Sequence, residues 1–225
     1  MNYNFGERLD GGSFPSGGVT ATIGFWQNKN GQALIHQLNG TPDSTLLGEY
    51  LTGTFPNLYG GDVLDRNGDT TVDNREVAES FKLLFKRNRN QSPAGPPKLD
   101  AQVMGVALAT YVTRETMVSV DYVTQADSPS LVAAVESYGF NVTTGGVGST
   151  SVNVGDAGEA LGYANGSDVQ IIDLLLATNA RSVDGLLFDD LDGDGQGDGE
   201  IDDTEELYRT LANDLFSAIN QNGHI

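Results

Sequence analysis

The spacing of apolar residues predicts a run of helices broken by glycine- and proline-rich connections. Residues 19–26, VTATIGFW, alternate and are rich in β-branched side chains, which predicts a short strand. Ala33, Leu34, Ile35 and Leu38 then share one helical face. Leu46, Leu47, Tyr50 and Leu51 share another, with Asp43 or Ser44 placed to cap it. The connection FPNLYGGDVL shows no clear helix. Beyond residue 76, Val77, Ala78, Phe81, Leu84 and Phe85 recur at helical spacing and lead to Lys86, Arg87 and Arg89, where the negative end of the helix dipole favours cations. After the breaker QSPAGPP, Asp100 introduces AQVMGVALATYV. This segment has no polar face and predicts a central helix buried on all sides.

From residue 117 the texture changes. SLVAAVESYG predicts a short helix capped by Ser128, and FNVTTGGVGSTSVNV reads as a hairpin of alternating runs around a glycine-rich turn. Ser167 and Asp168 are placed to cap VQIIDLLLATNA, another buried helix. The last helix carries Leu207, Tyr208, Leu211, Leu215, Phe216 and Ile219 and ends at Asn222 and Gly223. Apolar helices on both sides of one hairpin give an α+β fold, predominantly α-helical with a small β-hairpin, as a single domain over residues 19–225. Residues 1–18, rich in Gly and Ser, read as a linker or the end of a preceding repeat.

The polar positions carry the chemistry. Within the acidic run 184–206, Asp194, Gln196, Asp198, Gly199, Glu200, Ile201, Asp202 and Glu205 match positions one, three, five, six, seven, eight, nine and twelve of an EF-hand calcium loop. Short oxygen side chains at one, three and five point inward from a tight turn. Glycine at six permits the bend, position seven offers its carbonyl, and Glu at twelve closes the shell with both oxygens. Residues 65–76 repeat the scheme with Asp65, Asn67, Asp69, Thr71, Asp73 and Glu76, and with Val72 in the place of Ile201. The first loop departs at position six, Thr70, and the second at position three, where Gln196 is long and neutral. No Lys, Arg or His interrupts 184–206, and each close carboxylate pair near a surface repels by up to ~4 kcal/mol. A divalent cation relieves that repulsion, so the pattern predicts about two bound Ca2+. The neighbouring acids Asp189, Asp190 and Asp192 could ligate a further ion or simply raise affinity, and the second reading is favoured. Neither loop follows a clean helix, so each resembles the loop-plus-helix half motif of dockerin modules more than a full helix–loop–helix sensor, and Val72 and Ile201 are candidates for the short strand pair that couples EF loops.

The segment GFWQNKNGQALIHQLNG holds the only Trp. Trp26, Asn28, Asn30 and His36 could line a ligand groove, but the favoured reading puts Phe25 and Trp26 at the core end of a strand, followed by a tight turn at Asn30 and Gly31. No G-x-S-x-G, P-loop or dinucleotide fingerprint is present, and two His are too few for a zinc hydrolase. The chain is therefore read as a non-enzyme. A net charge of −19 argues against nucleic acid or anionic membranes as partners, and no run is apolar enough for membrane insertion. The absence of cysteine excludes disulfides and thiol catalysis.

The opening Asn2, Tyr3, Asn4, Phe5, Gly6 and Glu7 resembles the closing strand of the Cna-B or SdrD-type B repeats of bacterial surface proteins. TATIGFWQNKNGQALI, FPNLYG, PKLDAQVMGVALATYVT, SYGF and FSAINQNGHI together resemble an uncharacterised module that follows such repeats in large planctomycete-like surface proteins. The resemblance implies an extracellular, cell-surface setting and carries no catalytic residue. Taken together, the expectation is a secreted, calcium-stabilised structural or adhesive module. Its partners would be calcium, other domains of the same chain, or surface proteins and glycans. A calcium-dependent glycan-active enzyme and a dockerin-like protein-binding module are the alternatives.

Overall fold

The structure is a computed structural model and describes residues 17–91, 93–118, 131–191, 197, 199–223 and 225. Its helices are α1 (Ile23–Gln27), α2 (Lys29–Gln37), α3 (Leu46–Thr54), α4 (Pro56–Tyr59), α5 (Asn74–Lys86), α6 (Leu99–Val112), α7 (Glu115–Val118), α8 (Leu131–Ser137), α9 (Ile171–Ala180) and α10 (Asp203–Asn222). The strands form two antiparallel pairs, β1 (Ser151–Asn153) with β2 (Asp168–Gln170) and β3 (Ser182–Val183) with β4 (Leu186–Leu187). The architecture is thus mostly helical with two small sheets, an α+β arrangement.

Helix α6 is the axis. All its residues from Leu99 to Val112 are buried, as an apolar segment without a polar face requires. The terminal helix α10 packs along it, locked by the Asn220 side-chain amide, which donates to the Gln102 carbonyl at 3.0 Å and to its Oε1 at 2.8 Å. Helices α5 and α3 also lean on α6, and α2 covers α5. The buried apolar residues form one cluster from Ala21 to Ile219.

Several expectations are corrected. Residues 19–26 do not form a strand. The Thr22 hydroxyl accepts the Phe25 amide and starts α1, while Phe25, Trp26 and Phe140 pack as an aromatic group with centroids 5.3–5.7 Å apart. A cap and aromatic burial together outweigh a β-like pattern. Val19 and Thr20 lie beside the end of α10, where both amides donate to the Gly223 carbonyl. The tight turn at Asn30 and Gly31 is instead the first turn of α2, capped by the Asn28 side chain.

Helix α3 begins after Thr45 without a side-chain cap, and Asp43 is drawn away by Arg75. The stretch 140–154 does not fold on itself: Val147–Ser149 makes a 3-10 turn that buries Val147, and β1 pairs with the distant β2. Asp168 consequently lies in β2, so α9 starts after Gln170 without the expected cap. Helix α9 also keeps one face open, with Leu176 exposed. Ser128 and the motif at residues 2–7 lie outside the described residues.

Candidate metal centre

Residues 65–76 leave α4 and a 3-10 turn and enter α5. Each short polar side chain on the loop accepts a backbone amide a few residues ahead, the Asx turn that makes Asp and Asn good turn residues. Asp65 takes the amides of Gly68 and Thr70 at 2.8 Å each, Asn67 takes Asp69 at 2.8 Å, and Asp69 takes the amide and hydroxyl of Thr71 at 2.9 and 2.6 Å. The hydroxyl and amide of Thr71, with Asn67, hold the Asp69 carboxyl below its ordinary pKa.

Two residues of this loop have positive φ, Gly68 at 76° and Thr70 at 73°. Thr70 sits at position six, where a calcium loop needs its sharp bend. A β-branched side chain held there is a genuine outlier. In the second loop the residue at position six is Gly199, whose φ is 76°. The two position-six residues therefore share one backbone state, although one is Thr and the other Gly.

Both loops end in the same device. Asp73 caps α5 and Asp202 caps α10, each accepting the amide of the Glu three residues on, while Glu76 and Glu205 reach back to the amides of Asp73 and Asp202. This is the reciprocal capping box, and it accounts locally for acids at positions nine and twelve. Glu76 does more: its Oε1 also accepts the amides of Arg66 and Asn67 at 2.9 and 3.1 Å, and its side chain is buried against the loop. Its carboxylate thereby lies over the loop it would have to close.

The donor set of residues 65–76 fits a hard cation in kind and order, being oxygen throughout. Among the described residues no ion pair is formed by Asp65, Asp69 or Glu76, while Asp73 is 3.4 Å from Arg75. As they stand, the carboxylates face the loop's own amides, and among the described residues no three His, Asp or Glu gather as a metal cluster.

Of the second loop, Asp194, Gln196 and Asp198 lie outside the described residues, as does Asp192. Glu200 and Asp202 are exposed, and Glu205 is half-buried. The Asp189 carboxylate accepts the Gly199 amide at 3.1 and 3.2 Å, and Asp189 and Asp190 are buried. Sequence reading gave these two acids a supporting role, but among the described residues they are the most deeply placed carboxylates on this side. The expected pairing of Val72 with Ile201 is not formed: among the described residues neither belongs to a strand, and Val72 packs on Gly48 of α3.

Trp26 is fully buried, so the face of its ring is closed to a sugar. His36 is held below its usual pKa by burial and by Lys82 and Arg75, with Asp73 opposing. Sequence reading missed Arg209, which is fully buried in α10 and donates to the carbonyls of Ala94 and Leu187 at 2.8 and 2.6 Å. Arg209 and Arg87 flank buried Asp100 at 3.9 and 3.3 Å. No helix of the described residues is long and apolar enough to cross a membrane. No family model matches the chain, and no curated protein or solved structure matches it.

Proposed function

We propose that this chain is a calcium-binding, calcium-stabilised module of a longer secreted surface protein, with a structural or adhesive role rather than a catalytic one. The observation that carries this reading is the common left-handed backbone at position six of both loops, 73° at Thr70 and 76° at Gly199. Holding a threonine there costs about 1–2 kcal/mol. Strain kept in a polar surface loop points to a function for that loop. The oxygen donors at positions one, three, five, seven, nine and twelve name the function as binding a hard divalent cation.

In the bound loop, Glu76 would exchange the amides of Arg66 and Asn67 for the ion. Calcium binding then competes with a loop already satisfied by its own amides, which favours an affinity on the order of 10⁻⁴ to 10⁻³ M, as in extracellular modules. Because only the folded loop binds, stability rises with free calcium.

Calorimetric titration of EGTA-stripped protein tests this reading. About two ions should bind, with Glu76→Gln removing one and Glu205→Gln the other, and calcium should raise the thermal midpoint. No heat and no change of midpoint at millimolar calcium would leave both loops as capped turns and end the proposal.

A further inference from the structure

Beneath α4 and α5, against the start of α6 and the β3–β4 hairpin, lies a partly enclosed cavity of ≈ 130 Å³. Its walls are mainly apolar, including Leu58, Val63, Leu83, Leu84 and Leu187. Five lining residues break that pattern: Arg66 and Arg87 toward solvent, and three buried ones. The hydroxyls of Tyr59 and Ser80 and the Oδ2 of Asp100 are buried without a hydrogen-bond partner, and these side chains are only 4%, 5% and 6% exposed. Burial keeps the Tyr59 phenol protonated, so it can donate.

Orphaned buried polar atoms in a native fold call for water or a ligand. Size separates these choices. One water needs roughly a tenth of this space, whereas an apolar cavity of about 150 Å³ takes benzene. Charge narrows the class further. Arg66 and Arg87 line the cavity, and Arg87 and Arg209 flank Asp100, so the cationic side chains around the cavity outnumber its one lining carboxylate. In a chain of net charge −19 this is a local positive excess.

We propose that this cavity is a binding site for a small ring-bearing hydroxy-carboxylate, its ring against the leucines, its hydroxyl among Tyr59, Ser80 and Asp100, and its carboxylate toward Arg66 and Arg87. A hydroxyl group suits the inner end because it accepts from Tyr59 or Ser80 while donating to Asp100 Oδ2. Arg66 is exposed and Arg87 half-exposed, which puts the anionic end at the mouth, where it keeps part of its hydration. The inner groups Tyr59, Ser80 and Asp100 lie outside both acidic loops, whereas Arg66 at the mouth belongs to the first, so the titration is run in EGTA to keep the two readings apart.

The test is a titration of the whole chain, followed by amide NMR, with 4-hydroxybenzoate, benzoate and phenol as separate probes. Saturable binding of 4-hydroxybenzoate should move the amides of Ser80, Leu83 and Leu84, with benzoate and phenol each weaker by about tenfold. Arg66→Gln should weaken 4-hydroxybenzoate at least about threefold and leave phenol within about twofold. Ser80→Ala and Tyr59→Phe, both compatible with folding, should weaken 4-hydroxybenzoate and phenol but not benzoate. The proposal is overturned if no probe saturates at about 10 mM. It is equally overturned if the three variants bind like the parent, if phenol binds as well as the acid, or if a crystal soaked with the probe shows only ordered water in the cavity.

Discussion

The two acidic loops enter their helices by the same chemistry and are anchored to the fold in different ways. Asp73 with Glu76 and Asp202 with Glu205 make the same capping box. Yet at position eight Val72 is buried on α3 while Ile201 is only half-buried, and Glu76 is buried where Glu205 is not. Local sequence sets how a helix starts. How tightly the preceding loop is held depends on what lies beneath it, and for the first loop that is Gly48.

Gly48 is where the difference can be broken with the largest effect. A Cβ there would lie 2.0 Å from the Val72 carbonyl oxygen and 2.7 Å from its Cβ, and both are backbone-proximal atoms that cannot swing aside. Gly48→Ala must therefore push the first loop off α3. Overpacking of this kind costs about 3 kcal/mol, to be read from urea unfolding. It should also weaken the calcium site lost in Glu76→Gln and spare the one lost in Glu205→Gln. Equal weakening of both sites would mean that the loops are coupled despite Val72 and Ile201 standing apart.

A smaller effect is expected at position six, where the loops share a backbone and differ in residue. Thr70→Gly should stabilise the calcium-free protein by roughly 1 kcal/mol by removing a left-handed β-branched residue. Gly199→Ala should destabilise it by a similar ~1 kcal/mol, since nothing lies within 4 Å of the added Cβ and only the φ of 76° opposes it. Paired thermal melts with and without calcium measure both. If Thr70→Gly is neutral or destabilising, the threonine is not strained, and the strongest support for the calcium reading falls away.

What could be read in the sequence follows from how local each cause is. Helix α6 was legible because its apolar run has no polar side to misplace, and α5 and α10 because their apolar residues recur at helical spacing within one short segment. The stretch 19–26 was not, since its alternation satisfies a strand equally well and the deciding partner, Phe140, is more than a hundred residues away. Residues 140–154 misled for a related reason: the partner of β1 is β2, reached only after the turns between residues 155 and 166.

Arg209 shows a subtler failure. It lies on the stripe with Ala212, Phe216 and Ile219, all buried, but its charge hides that spacing because a basic residue is rarely fully buried. The acids of the candidate centre were legible as a pattern of spacing. That Glu76 spends its oxygens on the amides of Arg66 and Asn67 was not, because it depends on the path of the folded loop.

The finest distinction between the loops can be read at His36. Its pKa is lowered from 6.5, chiefly by burial and then by Lys82 and Arg75, with Asp73 opposing them. Because the fold disfavours the charged imidazole, this group's contribution to stability is constant above the unfolded value of 6.5 and is lost as pH falls from there toward the folded pKa. An ion held by the first loop would neutralise Asp73 and remove the opposing pull, lowering the His36 pKa further. An ion in the second loop, none of whose described acids is among the groups acting on His36, should leave it unmoved. The chain has only two histidines, so the ring signals can be followed by NMR across a pH series with calcium and with EGTA. The expected result is a calcium-dependent lowering that survives Glu205→Gln and vanishes in Glu76→Gln. A lowering that persists in Glu76→Gln would mean that the charge sensed by His36 is not bound at residues 65–76.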